Sequence, residues 1–133
     1  MLVVDSSVWI DFFADRPTAA SDELDRLLRD GHTRLVVPDL VLFEVLRGFR
    51  HERTLRQARL LMQALSVEPC GGEDLALAAA GHYRDLRKRG ITVRSAIDVM
   101  IGAFCIENDY LLLHNDRDYD AMAVHRGLRV WGN

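Results

Sequence analysis

The sequence predicts an α/β fold in which a five-stranded, mainly parallel sheet is flanked by helices on both faces. Three observations predict it. Short continuous apolar runs recur at residues 2–4, 35–37 and 110–113, as strands covered on both faces require. Longer stretches with apolar residues at helical spacing separate these runs. Glycine, proline and capping residues fall at the junctions, so strand and helix alternate along the chain.

Taken in order, residues 2–4 form the first strand, and Asp5, Ser6 and Ser7 offer caps for a helix through residues 8–13. Pro17 and Thr18 punctuate. Ser21 can cap a second helix with Leu24, Leu27 and Leu28 on one face, and Gly31 stops it. Residues 35–37 are the second strand, closed by Pro38. Asp39 can cap a third helix running from Leu40 to about Phe49. It is apolar almost all round, with Glu44, Arg47, Gly48 and His51 in one narrow stripe. A fourth helix over residues 53–65 turns Leu55, Ala58, Leu61, Met62 and Leu65 inward. Residues 67–70 read as a short strand and Gly71–Gly72 as a turn. Residues 73–89 form a long alanine-rich helix, with basic residues in its last turn and Gly90 as its stop. Ser95 caps the next helix, which is nearly apolar and carries one carboxylate, Asp98, in its first turn. Residues 110–113 are the fourth strand, 114–118 its loop, 120–126 a short helix broken by Gly127, and 128–131 the last strand.

A chain of 133 residues is large enough to bury a real core, and residues 1–133 are expected to form a single domain. Apolar content of 49% and charged content of 28% are ordinary for a soluble protein. The net charge of −3 neither announces nor excludes a nucleic-acid partner, because a site made of acids lowers the net charge even under a basic rim. Cys70 and Cys105 stand in apolar surroundings without metal-site spacing, which reads as two buried free thiols in a reducing cytoplasm. The N-terminus has no secretory pattern, and no apolar run approaches the roughly 18 residues that span a bilayer. A cytoplasmic protein without a membrane anchor is the expectation.

The acids carry the chemistry. In open parallel sheets, sites form beyond the carboxyl ends of the strands at the topological switch point. Asp5 and Asp116 are both expected at such ends. Glu44 is the only acid between Leu40 and Phe49, and Asp98 is the only charge between Ser95 and Ile106. Each has a plain structural explanation: Asp5 as a cap, Glu44 paired with Arg47, Asp98 in a capping box, Asp116 and Asp118 in a polar loop. Together those explanations weaken, because an isolated acid in a buried element is expensive unless paired or bound to a cation. Carboxylates held close repel, and a hard divalent cation with oxygen ligands removes that penalty. Such an ion can generate hydroxide and stabilise the oxygen departing from a phosphodiester. The five histidines lack HExxH or Cys–His spacing, so zinc is not indicated. There is no glycine-rich phosphate loop, and Ser6 and Ser7 lack a nucleophile-elbow context.

Val3-Val4-Asp5-Ser6-Ser7-Val8-Trp9, Pro38 with Glu44 six residues on, Val93-Arg94-Ser95-Ala96-Ile97-Asp98 and Asn115-Asp116-Arg117-Asp118-Tyr119 form an ordered set along the chain. In that set the sequence resembles PIN-domain ribonucleases, specifically VapC-type toxins of toxin–antitoxin pairs. The resemblance implies a three-layer α/β/α PIN fold and endonucleolytic cleavage of RNA with Mg²⁺ or Mn²⁺. Asp5, Glu44, Asp98 and Asp116 match the family's acidic quartet, with Asp118 a further acid in the same loop. Asp5, Asp98 and Asp116 are the implied metal ligands, and which of Asp116 and Asp118 lies closer to the ion stays open. His114 stands where many relatives have Thr or Ser. The implied partners are a VapB-like antitoxin that blocks the acidic site and a second copy of the chain, as a homodimer or a toxin–antitoxin hetero-oligomer.

Arg94 and Arg117 flank the acids and are the candidates for RNA phosphate contact, since arginine binds phosphate bidentately. Their plain alternative is to neutralise neighbouring carboxylates. Arg53, Arg56 and Arg59 share one helical face, for which ordinary solvation is a sufficient account. The excess apolarity of the third helix fits either a deep core helix or a partner surface. The rival to an enzyme is a catalytically inactive PIN-like module that binds RNA or protein. A phosphatase of the Asp-x-Asp type is disfavoured by Asp5-Ser6-Ser7, and a receiver domain by the sole lysine, Lys88, at a helix end.

Overall fold

The computed structural model describes residues 1–132. Five strands form one sheet: β1 (Leu2–Val4), β2 (Leu35–Pro38), β3 (Ser66–Glu68), β4 (Leu111–Leu113) and β5 (Arg129–Val130). Their order is β3-β2-β1-β4-β5, and every neighbouring pair is parallel. β1 lies at the centre, with Leu2 opposite both Leu35 and Leu111. All three residues of β1 and all four of β2 are buried, so helices cover both faces and the chain is the α/β sandwich expected.

Seven α-helices connect the strands: α1 (Ser6–Phe13), α2 (Ala19–Asp30), α3 (Asp39–Leu46), α4 (Glu52–Gln63), α5 (Glu73–Lys88), α6 (Ala96–Asn108) and α7 (Asp120–Arg126). α1 packs against α2 and α3, while α5 packs against α6 and α7. The chain runs outward from β1 through β2 to β3, then returns to the other side of β1 for β4 and β5. The direction therefore reverses between β1 and β4. The Asp5 backbone N–H donates to the Leu113 carbonyl at 2.9 Å and stitches the ends of these two strands together. This is the switch point where a site is expected.

Several local details differ from the sequence reading. Thr18, not Ser21, caps α2. Ser21 fills the third position of a reciprocal capping box, accepting from the Thr18 N–H at 2.8 Å while its own N–H donates to Thr18 Oγ1 at 3.0 Å. Asp39 does not cap α3. It is the first helical residue, and its Oδ1 accepts instead from the Cys70 N–H at 2.9 Å, tying α3 to the end of β3. α3 stops at Leu46, so Gly48 and His51 lie beyond the helix and the polar stripe is not continuous. The chain leaves α3 through tight i→i+3 bonds from Gly48 and Phe49, the unwinding that a glycine favours. α3 is not wholly buried either: Val41 and Val45 are, but Phe43 is 57% exposed under the Arg47 guanidinium. β3 ends at Glu68 because Pro69 has no N–H to continue the ladder. Arg53, Arg56 and Arg59 face solvent, and Cys70 and Cys105 are buried free thiols, as expected.

α6 approaches α7 closely at Gly102. A Cβ built there would lie 2.6 Å from Met122 Sδ and Cε, and Met122 is fully buried. Gly102→Ala is expected to cost about 1 kcal/mol through overpacking, read as a melting temperature a few degrees lower. An unchanged melting temperature would show that the thioether swings aside freely.

Candidate active site

The acids arrive from separate elements. Asp5 caps α1 at the end of β1. Glu44 sits in the last turns of α3. Asp98 lies in the first turn of α6, behind the Ser95 cap, whose Oγ accepts from the Asp98 N–H at 3.4 Å. Asp116 follows β4 and caps a 3₁₀ turn over Arg117–Tyr119, with its Oδ1 accepting from the Asp118 N–H at 2.9 Å. Asp98, Asp116 and Asp118 each place a carboxylate oxygen so that the three atoms lie within 4.8 Å of one another. Each is partly shielded and partly open.

Asp5 is more deeply set, at 3% exposure, and both of its oxygens are held. Oδ2 accepts from Ser7 Oγ at 2.5 Å and from the Ser7 N–H at 3.3 Å, and Oδ1 accepts from the Tyr119 hydroxyl at 2.7 Å. Glu44 is held by Ser6, whose Oγ donates to Oε1 at 2.6 Å. The two serines that follow Asp5 thus hold different acids, Ser6 holding Glu44 and Ser7 holding Asp5 itself.

Burial and repulsion both show at Asp98. Burial first, then the charges of Asp5, Asp116 and Glu44, push its carboxyl up from 3.8 to about 7, while the Tyr119 hydroxyl pulls the other way. Three other carboxylates therefore act on Asp98. Burial and the adjoining carboxylates hold Tyr119 well above the usual phenol range, so it remains a hydroxyl donor. His114 has its Nδ1 accepting from the Asp116 N–H at 3.2 Å and its ring tilted on Tyr119 at 4.9 Å; burial lowers its proton affinity. The donors are all hard oxygens, partly exposed, with a charge excess that a proton or cation would relieve. That donor set suits Mg²⁺ or Mn²⁺ and offers zinc no nitrogen–sulfur shell.

Of the two candidate phosphate contacts, Arg94 reaches Asp118, with Nε 3.4 Å from Oδ2, and its side chain is 82% exposed. Arg117 is exposed on the 3₁₀ turn and makes no ion pair among the described residues. Of the five acids singled out in the sequence, Asp98, Asp116 and Asp118 converge, while Asp5 and Glu44 lie outside that trio but near enough for their charges to act on Asp98. Ser6, Ser7 and Tyr119, which hydrogen-bond Glu44 and Asp5, were missed. The serines read as caps, and a tyrosine after Asp118 reads as core. The usable signal was the repeat of the pattern, with hydroxyl residues directly beside an acid at both strand ends.

A family model described as PIN domain matches residues 2–124. Ribonuclease VapC11 of Mycobacterium tuberculosis is 32% identical over 126 residues, covering 92% of each chain, and a VapC ribonuclease of Mycobacterium bovis matches to the same extent. Among solved structures, the VapBC2 complex of Rickettsia felis bound to a promoter DNA fragment superposes with a TM-score of 0.75. Sequence identity there is 12%, over 97% of this chain and 96% of that one. VapC20 of M. tuberculosis, described as a Sarcin-Ricin loop cleaving toxin, superposes with a TM-score of 0.66 at 19% identity, over 91% and 94% of the two chains.

Proposed function

The chain belongs to the PIN-domain family and to its VapC ribonucleases, and on that premise we propose that it is a metal-dependent endoribonuclease, the toxin of a toxin–antitoxin pair. One observation carries the metal-dependent part of this reading: three carboxylate oxygens, from Asp98, Asp116 and Asp118, converge within 4.8 Å beside Asp5 and Glu44. A binding module has no use for like charges held together against their repulsion.

Asp98 and Asp116, with Asp118, are the residues we assign to hold Mg²⁺ or Mn²⁺, and Asp5 completes the set from the floor of the site. A divalent cation bound there supplies the charge that polarises a water and offsets the phosphodiester's negative charge. The chain's own residues do the rest. Glu44, held by the Ser6 hydroxyl, is the residue we assign to accept a proton from the attacking water and to orient it. Arg94 and Arg117 stand at the rim, where a guanidinium can hold a phosphate of the RNA backbone. Arg94 leaves Asp118 when it does so.

The partner follows from the relatives. Solved neighbours such as VapBC-1 of Haemophilus influenzae are complexes, and we assign this chain a VapB-like antitoxin and assembly as a homodimer or hetero-oligomer. The apolar, partly exposed α3 with Phe43 is the surface that supports it. Among the described residues no helix is long and apolar enough to cross a membrane, and a cytoplasmic location is part of the proposal.

The test is cleavage of total cellular RNA by purified protein freed of antitoxin. Discrete fragments are expected with Mg²⁺ or Mn²⁺ and none with EDTA. RNA binding that EDTA leaves unchanged, with no cleavage under any metal, would instead identify an inactive binding module.

A further inference from the structure

Tyr119 is a fully buried side chain whose hydroxyl reaches the acidic site. Its ring is 0% exposed, and its hydroxyl donates to Asp5 Oδ1 across 114 residues of sequence. The ring itself is fixed from several sides. Its backbone N–H donates to the Asp116 carbonyl at 3.2 Å, closing the 3₁₀ turn that carries Asp116 and Asp118. His114 covers one side of the ring. On another side lies Gly102 of α6, where a built Cβ would sit 3.8 Å from Tyr119 Cδ1. Gly102 is four residues after Asp98, so both lie on one face of α6.

We infer that Tyr119 is a positioning residue: its hydroxyl fixes the Asp5 carboxylate relative to the Asp98, Asp116 and Asp118 oxygens, so that the acids are arranged before any cation arrives. The inference rests on the metal-site reading above and extends it to a residue outside the acidic set. A carboxylate oxygen that accepts one hydrogen bond keeps a second lone pair for a ligand. The Ser7 hydroxyl and N–H occupy Oδ2, whereas Tyr119 alone holds Oδ1, so together they set the rotation of the Asp5 carboxylate and leave a lone pair of Oδ1 open. Without the phenol, Oδ1 is a buried carboxylate oxygen lacking its donor and close enough to Asp98 for the two charges to interact. It would rotate towards any remaining donor and away from the shared centre. Hydrogen bonds to metal-binding carboxylates of this kind typically govern metal affinity or activity by about 10–100-fold.

The test compares wild type with Tyr119→Phe, which removes only the hydroxyl. Mn²⁺ binding is measured by calorimetry without RNA. The variant should bind Mn²⁺ at least about 10-fold more weakly. Its kcat on RNA should fall with KM changed by less than about twofold, since phosphate contacts are untouched. Asp5→Asn supplies the second arm. In that background, Tyr119→Phe should have a much smaller further effect on Mn²⁺ affinity, because the hydroxyl donates to Asp5 and acts mainly through it. A tyrosine that merely fills the core would give the opposite pattern: a lower melting temperature with Mn²⁺ affinity unchanged, or equal losses in both backgrounds. Either result overturns the inference. Tyrosine-dependent Mn²⁺ binding in a protein that cleaves no RNA would keep the inference and remove the ribonuclease reading, whereas wild type that binds no Mn²⁺ overturns both.

Discussion

Asp98→Asn protein is expected to lose at least about 100-fold in RNA cleavage while melting no lower than wild type in EDTA. The two halves of this result come from the same carboxylate. Asp98 belongs to the cluster of converging oxygens, and an amide in its place keeps the shape but not the charge. Losing an outer partner of a metal ligand typically lowers affinity or activity about 10–100-fold, and a ligand itself should matter more. Stability moves the other way. In the metal-free protein an ionised Asp98 is repelled by Asp5, Asp116 and Glu44, and a neutral amide is not. The substitution therefore relieves strain that exists only without a cation. Cleavage by well-folded Asp98→Asn at the wild-type rate would sink the assignment, provided a mock purification shows no contaminating nuclease.

The second expectation concerns pH. The Asp98 carboxyl is raised from 3.8 to about 7 in the folded chain, so between those values the native state holds a proton that the unfolded state has released. Stability from this group is thus fully present below about pH 4 and is lost as pH rises towards 7. The full shift corresponds to about 4 kcal/mol, but water reaches this half-buried carboxylate, and about 1–2 kcal/mol is the expected size. His114 works in the opposite sense. Its proton affinity is lowered by burial, so its contribution is present above its ordinary value of 6.5 and is lost as pH falls from there through the lower value it has in the folded chain. The difference between wild type and Asp98→Asn isolates the acid. In EDTA, the variant's advantage in melting temperature should grow by several degrees between pH 5 and pH 7.5. With saturating Mn²⁺ at pH 7.5 wild type should recover and the variant should not. A constant difference across pH would mean that burial and the neighbouring charges do not raise the Asp98 carboxyl.

Much of this architecture is legible in the sequence because the two periodicities are clean. The strand at Leu2–Val4 and the Ser95-capped helix stand out, since nothing polar interrupts the first and a single acid interrupts the second. The acids are legible for the same reason: Glu44 and Asp98 are conspicuous against apolar neighbours. The boundaries that shifted were set by partners distant in sequence. Asp39 gave up a capping role because the Cys70 N–H, 31 residues away, needed an acceptor. Which hydroxyls hold the acids was illegible for that reason too. Ser6 faces Glu44 and Ser7 faces Asp5, a division decided by how α3 lies beside α1. Tyr119 finds Asp5 only once β4 has paired with β1.

That last pairing has a consequence for synthesis. β1 is made first, yet it is the central strand, and one of its two neighbours is β4, more than a hundred residues later. A chain emerging from the ribosome has Asp5 and Glu44 but cannot bring them to Asp98, Asp116 and Asp118 until strand β4 and its following turn have been released. Such distant pairing is slow as well as late. A chain wired in this order cannot assemble the five acids while its earlier elements are being made beside ribosomal and messenger RNA; they can meet only after the turn that carries Asp116 and Asp118 has emerged.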